Sequence, residues 1–445
     1  GRMSTPAYTD AAERRRVAVT GVGAVTPLGV DAPTTWEGLV AGRNAIGALT
    51  TFDCTTFPVR IAGLVPDSFD PATAIPATAD QRWVSRPGLF GLAAVGEALR
   101  SAGLDPLTEA PYPPADRGVA MGASVGRPDL TMVLKVSELR SRTGQSDAFV
   151  RPAPSATLTG NQNLALNAMV RMIGATGPMV GIHTACAGSG HALGEAFRLI
   201  QEGDARMMVA GGYDSLTTWA DILGFGLLGA MTDRYNDNPA AASRPFDADR
   251  SGFVIGEGAV AFVLEDLESA LDRGAPILGE LLGYGSTMNA WRITDSPPDG
   301  AGAIEAMESA LSESGLGTGD IDYIAAHGTS TPGNDVSETR AIRKVFGDDA
   351  YRLVVSSPKS MAGHLTAGAA ALNLLAALGA IRDSVVPPTL NLDTPDRALD
   401  LDYVPHRARP MPVRAAMINA LAFGGSNTCL VVGAPPHISE LREQA

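Results

Sequence analysis

One cysteine and two histidines in this chain stand where side chains can react. Cys186 lies in Thr184-Ala185-Cys186-Ala187-Gly188-Ser189-Gly190, between an apolar stretch and a run with helical spacing. The small neighbours leave room for an incoming thioester. A sulfur at a helix start meets unpaired N–H groups and the positive end of the helix dipole, which favour thiolate over thiol. The thiolate is the nucleophilic form. A buried structural cysteine is the competing reading of this loop, since cysteine packs as a small apolar residue. His327 stands in Ala326-His327-Gly328-Thr329-Ser330-Thr331-Pro332-Gly333-Asn334-Asp335, and His364 in Lys359-Ser360-Met361-Ala362-Gly363-His364-Leu365. Neutral imidazoles in such loops can donate hydrogen bonds to a carbonyl oxygen or shuttle protons. A single histidine is more often structural; two, with a nucleophile elsewhere in the chain, point towards catalysis.

The elements that must position them follow from periodicity and punctuation. A strand at 16–20 leads to a Gly-rich turn, Gly21-Val22-Gly23. That turn begins like a dinucleotide-binding loop, but Thr26 replaces the third glycine and Pro27 follows where a helix should start, so nucleotide binding is set aside. Helices are expected at 33–41 and 83–102, and buried strands at 118–122 and 179–184. After Cys186, Leu193, Ala196, Phe197 and Ile200 repeat at helical spacing, and Gly203 ends the helix. A short strand at 206–210 precedes an irregular stretch, 223–251. The segment 259–264 reads as a strand leading into a helix to about Arg273. The second half repeats the alternation: strand 278–285, helix 302–314, strand 321–326, and helix 335–346 with Asp335 and Glu338 as a capping-box-like start. A core helix spans 365–381, and strands at 415–419 and 428–432 close the chain. Alternating strands and helices predict mixed α/β layers.

Composition limits the partners. The 445 residues suffice for two large halves with a sizeable core. A formal charge of −14 repels nucleic acid and anionic membrane surfaces. Lysine occurs only as Lys135, Lys344 and Lys359. Three cysteines fit a reducing cytoplasm better than a disulfide framework. The run 365–381 is short for a membrane span and carries Thr366, Gly368 and Asn373. No secretory pattern opens the chain, and Gly1 and Arg2 ahead of Met3 read as a cloning remnant.

Taken together, the motifs closely resemble the elongating β-ketoacyl-(acyl carrier protein) synthases of the thiolase-like superfamily. The likeness runs from about Arg16 to Gly433. It includes Val19-Thr20-Gly21-Val22-Gly23, Thr184-Ala185-Cys186, Ser243-Arg244-Pro245-Phe246-Asp247, Gly252-Phe253-Val254, the two histidine loops and Phe423-Gly424-Gly425. The resemblance implies a five-layered αβαβα fold of two similar halves, with boundaries at 15–270 for the half bearing the cysteine and 271–436 for the half bearing both histidines. It implies a Cys186, His327, His364 site, with Lys359 organising it. Thr329 and Thr331 would hold a phosphopantetheine arm, and Leu421 and Phe423 would contact substrate. The N–H groups of Cys186 and Leu421 would form the oxyanion hole. It further implies decarboxylative condensation with malonyl-ACP, no metal or redox cofactor, an acyl carrier protein as partner, and a homodimer or a heterodimer with a chain-length-factor-like homologue. The Arg-rich composition leans towards type II polyketide rather than fatty acid biosynthesis.

Some positions depart from the family. Asn419-Ala420-Leu421-Ala422-Phe423-Gly424-Gly425 stands where relatives usually read Asn-Ser-Phe-Gly-Phe-Gly-Gly, so a gating phenylalanine becomes Leu421 and its flexible neighbour Ala422. A usual glutamate is Asn373, which leaves Asp335 or Glu338 as charge partner for Lys359. His183 takes a usually apolar position and is expected to be structural; His191 is expected to pack one turn into its helix. Arg82 and Arg86 fit either a carrier-docking patch or a solvated helix face. Two rival readings remain: an acyltransferase or thioesterase that loads Cys186 without condensing, and a non-catalytic partner subunit that shapes a tunnel.

Overall fold

The computed structural model describes residues 14–105, 111–126, 130–144, 155 and 158–436. Among them, ten strands join in one sheet: β1 (Val17–Val25), β2 (Arg117–Gly122), β3 (Met179–Ile182), β4 (Met207–Ser215), β5 (Glu257–Asp266), β6 (Gly279–Met288), β7 (Tyr323–Ala325), β8 (Val354–Ser356), β9 (Ala415–Leu421) and β10 (Ser426–Gly433). The spatial order is β8-β7-β9-β10-β6-β1-β5-β4-β2-β3. In both five-strand sets the second strand pairs in parallel with the third and fourth, the fourth antiparallel with the fifth, and the fifth antiparallel with the first. The two halves therefore share one topology, joined where Val17–Val19 of β1 meets Gly279–Leu281 of β6.

The helices complete five layers. Those that frame the site are α1 (Ala32–Ala41), α2 (Arg86–Ser101), α3 (Asn163–Ile173), α4 (Gly188–Gln201), α5 (Trp219–Leu228), α6 (Ala303–Ser314), α7 (Pro332–Phe346) and α8 (Ala369–Asp383). α2 and α3 cover the outer face of the first set through Phe90, Leu92 and Met169. α6 and α7 cover the outer face of the second through Met307, Leu311 and Ile342. α4 and α8 lie between the two sets, where Leu193, Phe197, Leu374 and Leu378 share one core. That central placement explains why α8 is apolar all round: its residues 369–381 are buried. No helix among the described residues is long and apolar enough to cross a membrane.

Several sequence expectations change here. Gly21-Val22-Gly23 is not a turn: β1 runs through it to Val25, with a bulge between Val19 and Gly21. A Cβ at Gly21 would overlap the Ala98 carbonyl of α2, and one at Gly23 the Ala94 carbonyl. These glycines let a helix backbone lie directly on a strand. The stretch expected to be irregular, 223–251, opens inside α5, whose start just before it is set by a capping box between Thr218 and Asp221. Helix α7 starts at Pro332, capped by Thr331, so Asp335 and Glu338 are interior rather than capping residues. Arg86 bonds the fully buried Glu257 at 2.5 Å, whereas the Arg82 side chain is 73 % exposed. Charge reversal at Arg86 would take the cation from a buried carboxylate, leaving Glu257 with the Val65 N–H and Ser215 hydroxyl, and would destabilise the fold as well as alter the surface. Arg82, paired with the partly exposed Asp80, is the position at which charge reversal tests carrier docking.

Candidate active site

Four strand ends deliver the reactive side chains. β3 leads into a 3-10 turn, Ala185–Ala187, that starts α4 and carries Cys186. Ala185 adopts φ +52°, a left-handed conformation that non-glycine residues hold only under constraint. β7 ends at Ala325, two residues before His327; β8 leads to the short helix Lys359–Ala362 and then His364; β9 ends at Leu421, just before Phe423. One cavity of about 340 Å³ is lined by Cys186, His327 and His364. Thr329, Thr331, Leu421, Ala422 and Phe423 also line it. Lys359 stands behind His327, its Nζ 3.4 Å from the Nδ1 atom. Every candidate site residue is thus gathered in one place, Lys359 in the supporting layer rather than on the wall.

The imidazoles are set as hydrogen-bond donors. Their rings meet edge to face, centroids 5.4 Å apart. The Thr366 N–H donates to His364 Nδ1 at 3.0 Å, so the ring proton is on Nε2. His364 is clamped through its backbone, which donates to Val254 O at 2.7 Å and accepts from Gly256 N at 2.8 Å. Glu338 accepts from the N–H groups of His327 and Gly328, both at 2.8 Å. Asn373 donates to Ala326 O at 2.9 Å, so the peptide entering His327 is gripped on both sides. Burial, with Lys359 as the next cause, pushes both imidazole pKa values well below the usual range. Both rings are neutral at pH 7.

Cys186 departs from the thiolate expectation. The residue is only 5 % exposed, and burial pushes its thiol up to about 11. The Lys359 charge opposes this, the Asp214 charge adds to it, and the N–H groups of Phe423 and Cys186 itself also favour the anion. The helix start is present, but desolvation outweighs it. The second N–H acting on the sulfur belongs to Phe423, not to Leu421. Leu421 ends β9 in register with Asn427, and the chain turns before Phe423. Burial also lowers Lys359 to about 8, and Glu338 is the largest charge resisting that shift. The Lys359 Nζ faces His327 Nδ1 as a donor, which favours the His327 proton on Nε2.

Other residues fall outside this cavity or were missed in the sequence. His183 pairs through Nδ1 with Ala123 O at 2.9 Å. His191, one turn into α4, contacts Thr184 Oγ1 at 2.7 Å and Ser286 Oγ at 2.9 Å, bracing the approach to Cys186. Phe253 stacks its edge on His364 with centroids 5.5 Å apart. Glu338 does act as the charge partner expected for Lys359. Asp214 has no motif of its own; its only signal is an acid at a position whose neighbours face the core. Among the described residues, no group of three or more His, Cys, Asp or Glu is placed to hold a metal ion.

Comparison with known proteins gives concordant results. Residues 14–270 match the β-ketoacyl synthase N-terminal domain family, and residues 278–393 the C-terminal domain family. A 3-oxoacyl-[acyl-carrier-protein] synthase 2 from Synechocystis sp. is 43 % identical over 94 % of this chain and 98 % of its own. The protein of the same name from Coxiella burnetii is 39 % identical over 94 % and 99 %. Among solved structures, the ishigamide ketosynthase/chain length factor aligns with TM-score 0.84 at 33 % identity, covering 95 % of this chain and all of that one. A type II polyketide ketosynthase in complex with its acyl carrier protein and bound to a hexaketide aligns with TM-score 0.83 at 31 % identity, with the same coverage.

Proposed function

The chain belongs to the β-ketoacyl synthase family, and from that premise we propose that Cys186 accepts the acyl chain while His327 and His364 hold the enolate that attacks it. The activity is that of a condensing acyltransferase, a β-ketoacyl-[acyl-carrier-protein] synthase of fatty acid or polyketide biosynthesis. The observation that carries the assignment of roles is the shared cavity: one sulfur and two imidazoles on its wall, with the Nδ1 of His364 taken by the Thr366 N–H.

The chemistry follows from those groups. In the first half, the Cys186 sulfur displaces the carrier thiol from an acyl thioester. The sulfur's proton ends on the departing thiol, so no net base is consumed. In the second, a malonyl thioester enters with its carbonyl oxygen at the two Nε2–H groups. Carbon dioxide leaves, and the electron pair becomes an enolate held by both imidazoles. The enolate carbon attacks the acyl-cysteine carbonyl, whose developing oxyanion meets the N–H groups of Cys186 and Phe423. The tetrahedral intermediate expels the Cys186 thiolate, which takes up one proton.

Thr329 and Thr331, their hydroxyls 2.8 Å apart, are suited to the pantetheine arm. The substrates travel on an acyl carrier protein, with no further cofactor. The half at 15–270 supplies the sulfur and that at 271–436 both histidines, so neither half is a complete site. The subunit partner is a second copy or a chain-length-factor-like homologue, and the compartment is the cytoplasm. The test is incubation with malonyl and acyl carrier proteins, followed by carbon dioxide release and intact mass. Loading of Cys186 with carbon dioxide release is expected. Loading without release would leave only a transferase or thioesterase.

Leu421 and Ala422 on the cavity wall replace a bulky, mobile gate with a smaller, stiffer one. Leu421→Phe with Ala422→Gly should shift the acyl-length profile of products, read by mass spectrometry of the released chains. An unchanged profile would show that these positions do not set length.

A further inference from the structure

Asp214 sits near the end of β4 in the half that carries Cys186, and it is 1 % exposed. Its Oδ2 atom accepts from Thr366 Oγ1 at 2.5 Å, Ser124 Oγ at 2.7 Å and Ala367 N at 3.1 Å. Two of those donors belong to the 3-10 turn Thr366–Gly368, which follows His364 in the other half. Thr366 adopts φ +50°, where a threonine does not rest unaided. Held in that conformation, it sends its N–H into His364 Nδ1. The donor that fixes the ring is therefore itself held by a carboxylate from the opposite half of the molecule.

We propose that Asp214 is a positioning residue: through the Thr366 turn it locks His364 in the Nε2–H tautomer needed to stabilise an enolate. The ring can reach the substrate with a donor only while Nδ1 is occupied by the Thr366 N–H. Remove the carboxylate, and Thr366 loses the anchor of its hydroxyl and Ala367 the acceptor of its N–H. The turn can then relax to an unstrained conformation, and a proton on Nδ1 is no longer excluded. Asp214 has a second, separable effect, because its charge opposes ionisation of Cys186. Its removal should therefore affect the two half-reactions in opposite directions, which a general loosening of the site would not do.

This inference rests on the roles given above to Cys186 and His364, and the experiment keeps the two apart. Nitrogen-15 NMR of the histidine-labelled full chain, which has six histidines, reports the His364 tautomer with no substrate present. The wild type should show Nδ1 as an unprotonated acceptor. Asp214→Asn and Thr366→Ala should show a mixture of tautomers. In both variants, carbon dioxide release from malonyl carrier should fall by about 10- to 100-fold in kcat, with KM little changed. Alkylation of Cys186 by iodoacetamide should be faster than wild type in Asp214→Asn only. Thr366→Ser, which keeps the hydroxyl, should recover most of what Thr366→Ala loses. A single Nε2–H tautomer in both damaging variants overturns the inference, as does an equal fall in Cys186 reactivity and carbon dioxide release. No carbon dioxide release from the wild type would instead overturn the proposed function, with the tautomer result unaffected.

Discussion

Cys186→Ala should lose acyl loading and condensation altogether, yet still release carbon dioxide from a malonyl carrier. Loading needs a sulfur at this position, and no other cysteine lines the cavity: Cys429 is fully buried elsewhere, beside Glu338, and Cys54 lies in a separate cluster. Loss of a covalent nucleophile costs about 10⁴-fold or more in such systems, because the whole two-step route disappears. Decarboxylation makes a different demand. It needs the malonyl carbonyl at two Nε2–H donors, and the groups that orient those donors are Thr366, Lys359, Glu338 and Asn373. None of them depends on the sulfur. Alanine also fits where the buried thiol stood, so the fold should hold. The check is paired: intact mass after incubation with acyl carrier, and carbon dioxide from malonyl carrier alone. An acyl adduct on the variant would remove Cys186 from its proposed role.

The protonation state of Cys186 shapes how loading proceeds. With burial pushing the thiol up to about 11, Cys186 is protonated at pH 7. The resting enzyme thus carries a guarded thiol rather than a standing thiolate. Lys359 and the two N–H groups at the sulfur already lower the cost of ionisation, but burial outweighs them.

Much of this was readable in the chain, and the failures have physical causes. Cys186 could be found because an apolar strand, small residues and an amphipathic helix follow one another in sequence, although that strand, expected to be buried, lies at the sheet edge with Met179 51 % exposed. The two histidine loops were legible for the same reason. What periodicity cannot report is depth. The helix start at Cys186 suggested a thiolate, but the sign of the shift depends on desolvation by layers distant in sequence. Gly21 and Gly23 resembled a turn because glycine marks both a turn and a close helix–strand contact, and only the position of α2 distinguishes the two. Asp335 and Glu338 fitted a capping pattern, whereas Thr331 was already the cap and the acids turn inward to grip the His327 loop. Helix α5 escaped notice because its face is largely exposed, Leu227 at 81 %, and lacks a clean polar side. Asp214 was invisible for a deeper reason: its partners Ser124 and Thr366 lie about 90 and 152 residues away.

Replacing either histidine should produce the converse phenotype of Cys186→Ala. His327→Ala and His364→Ala should each keep acylation of Cys186 while losing about 10²- to 10³-fold in carbon dioxide release, the usual cost of one donor at a developing oxyanion. The two losses should not add in the double variant, since both donors serve one oxygen. Asparagine or glutamine at 364 should retain more activity than alanine, because an amide N–H can replace part of the Nε2–H donor. The pH dependence gives an independent check. Burial holds both imidazoles neutral to well below the ordinary histidine range. Decarboxylation by the wild type should therefore show no acid limb near pH 6.5, as would occur if a histidine had to stay unprotonated with its ordinary pKa. A rate that falls through pH 6.5, with substrate ionisation excluded, would mean that a required histidine titrates there. The burial-lowered pKa assigned to both rings would then fail, even if the variants lost activity as expected.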